Sequence, residues 1–204
     1  MNAAVFRRFA VLLAAIAFAL VTVWVVVRPY FFDAPAGDYE TRQGDILLTD
    51  RKWDEALERF SAAIAVSPQH RGAWMGRAIA YLQSGRLGEA EAAFSHIIDG
   101  MGATLAADDA TGRAVLAGAY ANRGILYDRE GRFQEALADY RRALAIDAAA
   151  VEGPGVMDRI LYGNAQPSTV AKRAAYLDAQ FALPENRRLL RVPELDDRQR
   201  MHKP

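Results

Sequence analysis

The feature that most restricts how this chain can fold is a recurrence of small and aromatic residues at a spacing of 34. Set residues 37–70 above 71–104 and 117–150, and count each window from 1. Position 8 then holds Gly44, Ala78 and Gly124, and position 20 holds Ala56, Ala90 and Ala136. Position 24 holds Phe60, Phe94 and Tyr140, and position 11 holds Leu47, Tyr81 and Tyr127. Trp74 and Tyr120 share position 4, Ala63, Ile97 and Ala143 share position 27, and Pro68 stands at position 32 of the first window. A period of this length means that one supersecondary unit, unable to bury its apolar face alone, is stacked on copies of itself.

The pattern resembles the tetratricopeptide repeat (TPR) over most of residues 37–150. The resemblance implies an all-α solenoid of antiparallel helix pairs. Its repeats are expected at 37–70, 71–104 and 117–150, within a domain over 37–184. Gly or Ala at positions 8 and 20 lets the two helices of a pair approach closely, and the aromatic at position 24 fills the gap to the next repeat. Ser84-Gly85-Arg86 and Glu130-Gly131-Arg132 put glycine where the first helix must end. Thr49-Asp50-Arg51-Lys52 takes that place in the first repeat without a glycine.

The third window starts 46 residues after the second, 12 more than the period, so an insert falls at about 105–116. The stretch Asp99–Arg113 reads either as a longer second helix or inter-repeat loop, or as a loop that touches a partner. Asp108 and Asp109 are adjacent and do not match a calcium-loop spacing. Residues 151–184 keep the register but lose the consensus. Met157, Ile160 and Leu161 suggest a short helix weakened by Gly153, Pro154 and Gly155, and a better helix follows Pro167-Ser168-Thr169. There Val170, Ala174, Leu177 and Phe181 share one face. This reads as a degenerate fourth repeat capping the solenoid. The tail, 185–204, mixes Leu189, Leu190, Val192, Leu195 and Pro193 with Arg187, Arg188, Arg191, Arg198 and Arg200. It either lies along the last helices or stays partly disordered, or it docks on an acidic, partly apolar partner.

At the amino terminus, residues 9–27 carry no charge, and 19 helical residues span roughly 28 Å, the thickness of a bilayer's hydrocarbon core. Arg7 and Arg8 in the 1–8 segment against Arg28 alone in the 28–36 linker place the N-terminus inside. Trp24, Tyr30, Phe31 and Phe32 suit the outer interface. The expectation is a single-pass signal anchor in the inner membrane, with the repeats in the periplasm or otherwise outside the cytoplasm. A cleaved signal peptide, cut near Ala34-Pro35-Ala36, is the other reading.

The 25 basic and 25 acidic residues balance, which disfavours a nucleic-acid partner. The absence of cysteine rules out disulfides and thiolate sites. His70, His96 and His202 have no metal-ligand spacing, and no catalytic or phosphate-binding motif stands in the chain. No enzyme, cofactor, metal or small-molecule substrate is therefore expected.

The TPR resemblance implies a concave face lined by the first helix of each repeat, binding a peptide or an amphipathic helix of a protein partner. The candidate contacts are Arg42, Met75, Ile79, Leu82, Asn122, Ile125 and Arg129, with tail docking through Arg187, Arg188, Leu189, Leu190 and Arg191. The carboxylate clamp of chaperone-binding members is missing, because Thr41, Asp45, Gly76, Gly118 and Asn122 stand at its positions. The chain's own C-terminal segment is the competing occupant of the groove. The anchored design also resembles accessory factors such as those associated with metal insertion into methanol dehydrogenase. It implies an assembly or maturation factor for an extracytoplasmic or membrane complex, with a permanent structural subunit as the alternative.

Overall fold

The computed structural model describes residues 3–31, 35–102, 104–106, 108–152 and 169–192. Phe32, Ala34, the segment with Met157, Ile160 and Leu161, and the tail from Pro193 with Leu195, Arg198 and Arg200 lie outside the described residues. Among the described residues every regular element is helical: α1 (Ala3–Phe31), α2 (Asp38–Thr49), α3 (Trp53–Val66), α4 (Arg71–Gln83), α5 (Leu87–Gly102), α6 (Ala110–Glu130), α7 (Phe133–Asp147) and α8 (Val170–Phe181). A single 3-10 turn, Glu185–Arg187, follows. Helices α2/α3, α4/α5 and α6/α7 form three successive hairpins, as the repeat pattern predicts.

Packing explains the conserved spacing within the chain. Phe60 is fully buried and sits between two glycines of different repeats. A methyl group at Gly44 would come within 2.6 Å of its ring, and one at Gly76 within 2.4 Å. Gly124 lies as closely under Tyr140, at 2.7 Å. The position-24 ring thus replaces the side chains that position 8 of its own repeat, and for Phe60 position 6 of the next, do not have. Gly76 therefore cannot carry the polar side chain a carboxylate clamp needs, whatever the partner.

Each first helix ends in the same way. The N–H groups of Lys52, Arg86 and Arg132 donate to the carbonyls of Leu47, Tyr81 and Tyr127 at 2.9, 2.9 and 2.8 Å. The residue before the donor is left-handed: Gly85 and Gly131 at φ 79°, and Arg51 at φ 60°. Arginine tolerates that backbone poorly, whereas glycine does not resist it. Arg51→Gly is therefore expected to raise stability by up to about 1 kcal/mol. Urea denaturation checks this, and a loss of stability would count against the turn geometry.

The 12 extra residues do not simply form a longer second helix or a loop. Most of them extend the first helix of the third repeat, because α6 runs over 21 residues against 12 in α2 and 13 in α4. Asp109 caps it, accepting from the Gly112 N–H at 2.7 Å, while its other oxygen pairs with Arg71 at 2.6 Å. The Asp108-Asp109 pair thus supplies a helix cap that is tied back to the start of α4. His70 performs the same service for α4. Its Nδ1 accepts from the Ala73 N–H at 3.1 Å, so Nε2 carries the proton and donates to Asp38 at 2.8 Å.

The core runs continuously from Met75 on α4 to Leu177 on α8. A smaller cluster of Ala56, Leu57, Phe60 and Ala80 belongs mainly to the first repeat. Leu48 and Tyr81 pack against both clusters and join them.

Candidate protein-binding surfaces

The groove floor expected from the sequence is not a surface. Met75, Ile79 and Leu82 are 1, 2 and 1 % exposed, and Asn122 and Ile125 are 0 and 3 % exposed. They belong to the interior, in one cluster with Val170, Ala174 and Leu177 of α8. Asn122 reaches Met75 Sδ at 3.7 Å. A helix face rich in Met and Ile stays open to water only if nothing in its own chain can cover it. Here neighbouring helices cover it, since α4 packs against α2, α3, α5 and α6. A charged residue at Met75 or Ile79 would break the fold rather than test a partner. Arg42 and Arg129 remain exposed at the edges, and Arg42 lies 3.8 Å from Asp38.

The tail candidates fall on the molecule itself. Leu190 packs against the core. The Leu189 N–H donates to Gln180 Oε1 at 2.7 Å, and its carbonyl accepts from Tyr176 at 2.6 Å. Arg188 donates to the Leu183 carbonyl at 2.9 Å, and Arg191 to the Arg129 carbonyl at 3.3 Å. Arg187 is exposed. Through residue 192 the chain therefore follows the reading in which the tail lies along the last helices.

Holding this arrangement is an ion pair that sequence reasoning passed over. Arg173 donates from Nε and Nη2 to the Asp128 carboxylate at 2.7 and 2.6 Å, with both side chains 2 % exposed. Tyr140 adds a hydrogen bond to the same carboxylate at 3.1 Å, and Arg173 Nη2 also reaches the Leu190 carbonyl at 2.9 Å. Asp128 stands at position 12 of its repeat, where the TPR resemblance implies a concave-face residue, and the one signal of a partner was an arginine on the buried face of α8.

A second network ties repeat two to repeat three. Arg123 makes a two-pronged pair with Asp139 at 2.7 and 3.0 Å and also reaches Ser95 at 2.9 Å. Arg132 pairs with Glu91, Glu130 and Glu135 at 2.9, 3.0 and 2.6 Å and stacks 4.0 Å over Tyr127. Burial and the hydrogen bond it donates to Glu91 push the Tyr127 hydroxyl up to about 12. Hydrogen bonds from Arg132, and then from Tyr127, hold the Glu91 carboxyl below its ordinary value, against desolvation. A depressed carboxylate stabilises the fold above its unfolded pKa, and that contribution disappears as the pH falls through the folded value. Glu91→Gln is expected to flatten the acid side of the stability profile below about pH 4.5. Chemical denaturation at several pH values reads this, and an unchanged acid limb would refute it.

The exposed concavity with the richest chemistry lies beside the insertion. A cleft of about 320 Å³ is lined by Arg71, Trp74, His96, Ile97, Met101 and Thr104, among others. Trp74 is fixed there: its Nε1 donates to the Pro68 carbonyl at 2.8 Å. Its ring lies 4.1 Å from that of His96 and 4.2 Å from the Arg77 guanidinium. Preordered Trp and Arg side chains are what protein interfaces use as anchors. The sequence flagged the insertion, but Trp74 read only as a repeat position. A shallower concavity of about 310 Å³ lies on the first repeat, with Ile46, Leu47, Glu55 and Arg59 in its lining.

The stacked hairpins define a helical-repeat solenoid, the class of protein that presents extended surfaces to other proteins. The repeats are tetratricopeptide repeats: residues 41–103 and 117–148 each match a family model described as Tetratricopeptide repeat. No curated protein matches the chain. Among solved structures it is similar to one described as "Arabidopsis OM64 TPR domain", at 18% identity and a TM-score of 0.44, covering 63% of this chain and 93% of that one.

Within α1, the 23 residues Phe6–Arg28, of mean hydropathy 2.8, are long and apolar enough to cross a membrane, and none of the most apolar stretch is buried. A membrane anchor and a signal sequence both fit that description.

Proposed function

We propose that this chain is a membrane-anchored protein–protein interaction scaffold that assists the assembly or maturation of an extracytoplasmic or membrane complex. The observation that carries the reading is the joining of a TPR stack to an exposed N-terminal apolar helix. The apolar helix supports anchoring in the inner membrane, and the arginines before it support an outward-facing repeat domain. The architectural likeness to accessory factors, such as those for metal insertion into methanol dehydrogenase, supports the assembly role.

The test is gentle solubilisation of native membranes, recovery through a C-terminal tag, and quantification of what co-purifies. Sub-stoichiometric recovery of precursor or immature subunits is the expected result. One-to-one recovery with a mature complex would replace it with a permanent structural subunit. Thr104→Arg is the informative variant, because it fills the Trp74 cleft from an exposed position without touching the core. Loss of the partner in that variant would place the contact at the cleft.

A further inference from the structure

The segment after α8 is held in a way that main-chain recognition of a ligand would be. Beyond the turn at Glu185–Arg187 the chain is extended at Arg188 and doubles back along α8. Three side chains of α8 then read its backbone. Gln180 accepts the Leu189 N–H, Tyr176 donates to the Leu189 carbonyl, and Arg173 donates to the Leu190 carbonyl. Their spacing, 173, 176 and 180, places them on one face of the helix. Two side chains of the segment add selectivity. Leu190 is partly buried against the core, and Arg191 lies 5.9 Å over the Phe133 ring while donating to the Arg129 carbonyl. Leu189 is 61 % exposed and contributes its backbone alone. The segment has no regular secondary structure to hold it in place.

Resting on the reading of the chain as a protein-interaction module, we propose that this α8 face is a docking site for an extended peptide, filled in the resting chain by residues 188–191. The partner it fits is an extended segment with a large aliphatic residue followed by arginine. Such a segment takes the place of Leu190 and Arg191. A tethered occupant has an effective concentration in the millimolar range. A competing peptide with the same contacts is therefore excluded until the tether is weakened or the partner adds contacts elsewhere. The strap is thus a built-in brake on partner binding.

The probe is a fluorescent peptide with the sequence of residues 185–192, titrated against the full detergent-solubilised chain. Leu190→Ser with Arg191→Ala is expected to bind it at least tenfold more tightly than the unsubstituted chain. Adding Tyr176→Phe and Gln180→Ala to that variant is expected to reverse the gain about tenfold. Equal affinity of the folded variant and the unsubstituted chain overturns the proposal, as does indifference to Tyr176→Phe and Gln180→Ala. A second measurement needs no variant. Millimolar peptide is expected to accelerate hydrogen exchange of the Leu189 amide in the unsubstituted chain, and an unchanged rate overturns the proposal too. Failure of either experiment leaves the co-purification result standing, because that result reports partner capture by any surface.

Discussion

Asp128→Ala is expected to destabilise the repeat domain by about 3–5 kcal/mol, the usual cost of stripping one partner from a buried ion pair. The guanidinium of Arg173 would be left in an interior where both side chains are now 2 % exposed. Arg173→Met should cost less, because methionine fills the space with apolar atoms and leaves Asp128 with the Tyr140 hydroxyl. The double variant Asp128→Ala with Arg173→Met removes both charges and should cost less than the two single losses summed. Guanidinium denaturation of the four proteins forms a double-mutant cycle. Losses that merely add would show that the pair does not couple α8 to the third repeat. The pair matters because it is where the C-terminal segment becomes part of the core. Without it, Val170, Ala174 and Leu177 would lose the contact that orients α8, and the Leu190 carbonyl would lose its donor.

Phe60→Ala is expected to cost about 3–5 kcal/mol, the range for emptying a fully buried aromatic site. The loss should fall on the first repeat, whose small cluster depends on that ring, and hydrogen exchange should show α2 and α3 opening before α6 and α7. The complementary change is Gly76→Ala. On an open helix face that substitution stabilises by up to about 1 kcal/mol. At Gly76 the new methyl group would lie 2.4 Å from the Phe60 ring, so the sign should reverse to a loss of about 1–3 kcal/mol. Gly88→Ala is the control, since a methyl group there meets nothing within 4 Å. Thermal melts of the two variants should move in opposite directions. A stabilised Gly76→Ala variant would mean that the ring does not pack between consecutive repeats.

The arrangement that emerges differs from an open peptide groove. Helices α4 and α6 present apolar faces where a TPR groove floor is expected, and those faces are interior. Among the described residues, the cleft beside Trp74 and the outer side of the first repeat are open, and the α8 face is covered by residues 188–191. Each can be altered without emptying the core, which makes them separable by substitution.

The repeat architecture was readable from local spacing because the features that define it are local. A small residue at position 8, a ring at position 24 and a glycine at position 15 act within one hairpin or between adjacent ones. Chain order therefore already brings them together. The N-terminal apolar helix was readable for the same reason, since length and hydropathy along a continuous run define it. The missing glycine at Arg51 was visible too, and the backbone there adopts the left-handed turn regardless, because the flanking helices impose it.

Whether the groove was open depended on contacts that spacing does not encode. Met75 and Ile79 have the same periodicity whether they face a partner, water or the neighbouring helices. Asp128 and Arg173 are 45 residues apart, and nothing in either local pattern names the other. The lengthened α6 likewise required knowing that Asp109 caps a helix instead of ending a loop. The sequence by itself determined the hairpins, their stacking partners and the apolar N-terminal helix, because short-range packing decides all three. Only the tertiary structure decided which apolar faces are surfaces, because burial depends on what distant parts of the chain supply to cover them.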